Sequence, residues 1–124
     1  MNNENNLLFT KEHEWIKIEG NVAVIGISCH AQSELGDIIF VELPNIGDTI
    51  KSNDIFGTIE AVKTVADLFM PVDGTIKEVN KNIDSQPDLI NSSPYDEGWL
   101  VKIEILNNTD IDNLLSYDSY KKII

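Results

Sequence analysis

Turn signals recur so closely along this chain that no long regular element fits between them. Gly20-Asn21, Asn45-Ile46-Gly47-Asp48, Ser52-Asn53-Asp54 and Asp73-Gly74 are built from residues that favour tight turns. The intervening runs are short and β-branched. In Glu14–Glu19, Ile16 and Ile18 share one face while Lys17 and Glu19 share the other, and Val22–Ile27 reads as the returning strand. Ser28 is placed to cap a short helix through Ala31, Gln32 and Leu35, ended by Gly36. Residues 37–43 read as a buried strand stopped by Pro44, which lacks a ladder donor. Strands are expected at 49–51, 55–62, 65–70, 75–79 and 98–105, with 80–94 irregular and a short helix near the C-terminal end, after Asp110. Many short strands at this spacing predict a sandwich or barrel, all-β apart from short helices. A weak internal echo supports two-sheet quasi-symmetry: residues 44–51 and 71–77 both run from Pro through Gly to Thr-Ile-Lys.

At 124 residues the chain is one domain's length. Residues 1–6 read as a flexible polar tail and 7–124 as a single domain. A chain of this size buries about 65% of its unfolded surface, enough for a core without staples. Cys29 is the single cysteine, so no internal disulfide forms. No apolar run approaches the roughly 20 residues that span a bilayer. The absence of a targeting segment and the lone cysteine point to a bacterial cytoplasm. A mitochondrial form with a trimmed presequence fits the same residues.

Charge narrows the partners. Nine basic residues, all Lys, face 21 acidic ones, for a net charge of -12. Nucleic acid and anionic membranes both need a basic patch, so neither is an expected partner. Basic protein surfaces are, and the high charge favours a monomer. His13, His30 and Cys29 make no closed zinc site. Cys29 and His30 are neighbours on a helix and point apart, so a nucleophile pair is weak; Cys29 reads as a small, at least half-buried apolar residue. No phosphate loop, nucleophile elbow or dinucleotide fingerprint is present.

The informative segment is Glu60-Ala61-Val62-Lys63-Thr64-Val65-Ala66-Asp67. Lys63 lies between two short apolar strands, at or beside a hairpin tip. From this segment alone it is either a solubilising turn lysine or a lysine presented for acylation, which would hang a long arm from a rigid turn.

Around it, five motifs in order resemble the H-protein family of the glycine cleavage system. They are His13-Glu14-Trp15, the stretch from Gly26 to Gln32, and Leu35-Gly36-Asp37-Ile38-Ile39-Phe40-Val41-Glu42-Leu43-Pro44. Glu60-Ala61-Val62-Lys63 follows with Ala66-Asp67-Leu68 and Pro71-Val72-Asp73-Gly74, and the last is Asn91–Tyr95 with Gly98–Ile103. The resemblance implies a barrel-sandwich hybrid of the lipoyl-domain type, with two antiparallel sheets and lipoate covalently attached to Lys63. It implies a carrier, not an enzyme. A pyridoxal-phosphate glycine decarboxylase loads an aminomethyl group onto the arm. A tetrahydrofolate-dependent aminomethyltransferase unloads it, and dihydrolipoamide dehydrogenase reoxidises the arm. A lipoate ligase or octanoyl transferase installs it. Glu14 and Asp67 lie in matching motifs and are candidates to hold a cationic arm; ordinary strand-end carboxylates are the plain alternative. Trp15 and Trp99 read as packing residues.

Four rival readings remain. The same lysine serves a relay passing octanoyl or lipoyl groups to other proteins in lipoate assembly. An unmodified β-sandwich interaction module needs no arm at all. A biotinyl carrier would set the lysine between methionines, where Val62 and Thr64 stand here. A hydrolase using Cys29 is the least supported. Cys29, His30 and the β-branched Thr64-Val65 pair depart from the family pattern.

Overall fold

The computed structural model describes residues 7–124, in which ten strands and four short helices follow one another. The expected tail, residues 1–6, lies outside the described residues. The strands are β1 (Leu8–Phe9), β2 (Glu14–Glu19), β3 (Val22–Ile27), β4 (Ile38–Glu42), β5 (Thr49–Ile50), β6 (Ile55–Ala61), β7 (Val65–Phe69), β8 (Gly74–Val79), β9 (Val101–Ile105) and β10 (Leu115–Ser116). The helices are α1 (Cys29–Leu35), α2 (Asn82–Ser85), α3 (Leu89–Ser92) and α4 (Tyr117–Lys121). A seven-stranded sheet runs β10-β1-β2-β3-β9-β8-β5, and a three-stranded sheet runs β4-β6-β7. Every pairing is antiparallel.

The alternation in the sequence decides which faces meet. Ile25, Ile76 and Ile103 from the large sheet and Ile59 and Leu68 from the small one belong to a single buried cluster. Each such side chain stabilises by roughly 1.5–3 kcal/mol over leaving it in water. A second cluster, Leu7, Phe9, Trp15 and Tyr120, holds the C-terminal helix against the large sheet. The Phe9 and Tyr120 rings stack there, 4.5 Å between centroids.

The internal echo is realised as direct contact. Thr49 pairs with Thr75 and Ile50 with Gly74, while the Gly47 amide donates to the Ile76 carbonyl and the Ile76 amide to that of Asp48. The two copies therefore lie antiparallel, side by side, related by a local two-fold axis.

Several expectations are corrected. β4 is not buried throughout: its pairing with β6 slips between Ile38 and Phe40, and Ile39 and Phe40 are both exposed. The extra residue of a β-bulge lets two consecutive side chains leave the core. Residues 80–94 are not wholly irregular, since α2 and α3 lie within them and bury Ile83 and Ile90. The C-terminal segment is more than one helix: a 3-10 turn (Asn108–Asn113) and β10 precede α4. Cys29 is exposed, not buried, because it is the first residue of α1. Ser28 caps α1 as expected, accepting from the Ala31 amide, and Gly36 ends it at φ 80°.

Candidate functional site

Lys63 occupies the tip joining β6 to β7 and is exposed. The tip is pinned on two sides. The Ala61 amide donates to the Thr64 carbonyl at 2.8 Å across the turn, and the Val62 amide donates to the Asp37 carbonyl at 3.0 Å. The lysine stem lies over Gly36: a Cβ at residue 36 would come within 2.9 Å of Lys63 Cε. Glycine is favoured at 36 by its positive φ; the Lys63 stem above it is flexible and could move aside. Lys63 makes no ion pair with a described residue.

Asn91, on α3, fixes the loop under the lysine. Its Oδ1 accepts from the Ile38 amide at 2.9 Å, and its Nδ2 donates to the Gly36 carbonyl at 2.8 Å and to Gln32 Oε1 at 3.0 Å. Sequence reading missed this role. Nothing in a polar run announces which amide will hydrogen-bond a distant loop.

From Lys63, β7 runs along a cleft of about 500 Å³. Its walls include Ile27, Leu35, Ile59, Leu68 and Phe69. Its polar rim carries Glu12, Glu14, Glu34 and Asp67 together with His13 and His30, and no lysine. Apolar walls under a rim that bears carboxyl groups and no lysine suit a hydrocarbon chain ending in a positive group. Both sequence candidates line it, in different states. Asp67 is exposed, while Glu14 is only 2% exposed.

Glu14 reaches across the gap between sheets. Its Oε2 accepts from the Phe69 amide of edge strand β7 at 2.8 Å, and its Oε1 from the Thr10 hydroxyl at 3.1 Å. Thr10 Oγ1 in turn accepts the Glu12 and Glu14 amides, which fixes the loop that starts β2. Burial pushes the carboxyl up to about 8, against the two hydrogen bonds that favour its charged form. Ionising Glu14 is therefore uphill near neutral pH, and a cation in the cleft would make it easier.

The rim is braced from behind. His13, at φ 70°, bonds through Nδ1 to the Tyr120 hydroxyl at 2.8 Å, and that hydroxyl also meets Ser28 Oγ at 2.7 Å. Burial, then the His30 ring 5.0 Å away, holds His13 below its usual range and so neutral at pH 7. The contact of His13 and Ser28 with Tyr120 was not foreseen from sequence, because the partners are too distant along the chain. Both tryptophans pack as expected: Trp15 is buried, its Nε1 donating to the Pro94 carbonyl at 2.8 Å, and Trp99 lies half-buried against the same cluster, under Lys102 Nζ.

The family model described as glycine cleavage H-protein matches residues 7–124. A glycine cleavage system H protein from Bacteroides fragilis is 48% identical over 124 residues, covering 100% of this chain and 98% of the relative. One from Symbiobacterium thermophilum is 50% identical over 119 residues, covering 94% and 93%. A crystal structure of a glycine cleavage system H protein from Mycobacterium marinum superimposes with a TM-score of 0.84 at 33% identity, covering 95% of each chain.

Proposed function

The chain belongs to the glycine cleavage H-protein family, the lipoyl-carrying shuttle of the glycine cleavage system, and from that premise we propose that Lys63 bears the arm and that the adjacent cleft receives its loaded end. The two-sheet fold is the lipoyl-domain-like barrel-sandwich hybrid. The observation that carries the reading is the pairing of an exposed lysine on a pinned hairpin with a carboxylate-rimmed cleft entered along the same strand.

The residues suit the group. When attached, a lipoyl group supplies a reversible disulfide on which a one-carbon cargo travels. The remaining work belongs to this chain. The hairpin keeps Lys63 exposed at its tip, where an acylating enzyme can reach it. Gly36 and Asn91 fix the surface on which the lysine stem rests. Ile27, Leu35 and Leu68 exclude water from an apolar chain laid in the cleft. Glu14 and Asp67 attract a cationic amine. Asp67, being exposed, acts as a screened surface charge, while buried Glu14 acts once the cation in the cleft draws off its proton, and from that position the ionised carboxylate's field is stronger.

No reaction of its own is assigned to the chain. Its partners on this reading are glycine decarboxylase, the tetrahydrofolate-dependent aminomethyltransferase, dihydrolipoamide dehydrogenase, and a lipoate ligase or octanoyl transferase. An acyl relay would use the same lysine but needs no carboxylates at the cleft, so the acidic rim favours the aminomethyl cargo.

The test starts with intact mass after incubation with lipoate ligase, lipoate and ATP. One lipoyl amide at Lys63, absent in Lys63→Arg, is expected; a folded chain that takes up no lipoate refutes the reading. The lipoylated chain is then loaded with glycine decarboxylase and glycine, and the half-life of the adduct is measured. Glu14→Gln and Asp67→Asn should shorten it. Unchanged half-lives in both remove the holding role.

A further inference from the structure

The outer face of the three-stranded sheet carries large exposed apolar side chains among its carboxylates, where a solvent-facing sheet is ordinarily polar. Phe40, Glu60 and Val65 are direct partners across β4, β6 and β7, so their side chains share that face. The bulge turns Ile39 out next to Phe40, and Val62 stands beside Lys63 at the tip. Ile39, Phe40, Val62 and Val65 are 49%, 54%, 69% and 63% exposed. The neighbouring row is Glu42, Thr58 and Asp67. An apolar patch thus adjoins the lysine, interspersed with the carboxylates of Glu42, Glu60 and Asp67. Exposed apolar clusters rimmed by charge mark places where another protein sits.

We propose that this face, with Ile39 and Phe40 at its centre, is the docking surface for the enzyme that acylates Lys63. Its partner surface is an apolar recess rimmed by basic residues. The inference rests on Lys63 being the acylated residue. Geometry selects this partner over the others. An enzyme acting on Nζ must bring an acyl carbonyl to bonding distance of the hairpin tip, so its surface closes on residues around the tip. Enzymes that work on the far end of the arm meet the chain at the cleft. In the step itself Nζ loses a proton and attacks the carbonyl carbon of an acyl-adenylate. The N–C bond forms, the C–O bond to phosphate breaks, AMP leaves with the electron pair, and the nitrogen gives up a second proton. Nine lysines compete for this chemistry, and the patch is what distinguishes one of them. The charge of -12 steers a basic partner, and the acids on this face orient it.

Purified lipoate ligase, lipoate and ATP supply the assay, with acylation of the full-length chain followed by intact mass. The double variant Ile39→Ser with Phe40→Ser should lower kcat/KM at least tenfold, through KM, with kcat kept at saturation. Ile46→Ser, on the turn beside β8 and 61% exposed in the parent, should stay within twofold of wild type. Thermal melting confirms that each variant is folded. Should the double variant not fold, Glu42→Lys serves instead: its kcat/KM should fall severalfold at low salt, with the difference vanishing at high salt. Equal kcat/KM in wild type and the folded double variant overturns the proposal, as does an equal loss in Ile46→Ser, or no salt-dependent loss in Glu42→Lys where that variant is used. A wild-type chain that accepts no acyl group is a different failure, that of Lys63 as the attachment site.

Discussion

Replacing Glu14 by Gln tests the cleft at its buried carboxyl group. The carboxyl titrates at about 8 in the folded chain, against an ordinary value of 4.5. Its folded-state affinity for a proton is therefore raised. Below 4.5 both states hold the proton and Glu14 imposes no pH dependence. Between 4.5 and 8 the unfolded chain has released it and the folded chain has not, so stability falls as pH rises, by about 1.4 kcal/mol per pH unit. Near 8 the folded carboxyl begins to ionise and the slope fades. From pH 6 to pH 8 the loss attributable to Glu14 is about 2 kcal/mol. Gln keeps the volume, its carbonyl oxygen can accept from the Phe69 amide, and it cannot titrate. Urea unfolding at pH 6, 7 and 8, followed by the fluorescence of buried Trp15, should show wild type losing about 2 kcal/mol more than Glu14→Gln across that range. All other titrating groups cancel in the comparison unless they couple to Glu14. Parallel pH profiles in the two proteins would refute the claim that burial dominates the two hydrogen bonds. The same titration sets an expectation for the cargo: a cationic arm should be held more firmly at pH 8 than at pH 6, because more of Glu14 is ionised to meet it.

Asn91→Ala removes the bonds to Ile38, Gly36 and Gln32 and should cost about 2–3 kcal/mol in the same urea assay. Asn91→Asp should rescue little, since its second oxygen would face the Gly36 carbonyl. Tyr120→Phe keeps the stack on Phe9 but loses the bridge between His13 and Ser28, for about 1–2 kcal/mol in thermal or urea unfolding. Gly57→Ala would place a Cβ on the Glu42 carbonyl oxygen, prising β4 from β6, and should cost about 2–3 kcal/mol in thermal unfolding, with unfolding at lower temperature as the readout.

Local chemistry made much of the fold legible. The β2–β3 hairpin, the Ser28 cap, the Gly36 stop and the strands flanking Lys63 all follow from signals within a few residues. The features that escaped depend on partners far along the chain. Ile38-Ile39-Phe40-Val41 reads as a buried strand because four apolar residues in a row fit burial on both faces. Only the register against β6 shows that a bulge turns two of them outward. β1 and β10 are two residues each and exist because they pair with each other and with β2, which no local pattern announces. α2 and α3 are single turns whose one buried isoleucine apiece is too little for a periodicity. At the site, Glu14 and Asp67 were found through their motifs, and both line the cleft. What their sequence context could not convey is the contrast between them, a sealed carboxyl and a solvated one. Cys29 misled for the opposite reason. Its type favours burial, while its place at the start of α1 exposes it.

The bridge from Tyr120 to His13 and Ser28 also ties the last helix to the start of the chain. The strands of the lysine hairpin are neighbours in sequence, both synthesised by residue 69, and the loop beneath them gains its side-chain anchor at residue 91. The cleft rim waits for residue 120, whose hydroxyl ties the loop before β2 to the cap of α1. Lys63 is therefore synthesised well ahead of the brace behind the cleft. A chain ending before β10 contains the lysine but lacks the contact that braces the rim, so on the proposed reading acylation and protection of the cargo draw on different parts of the sequence.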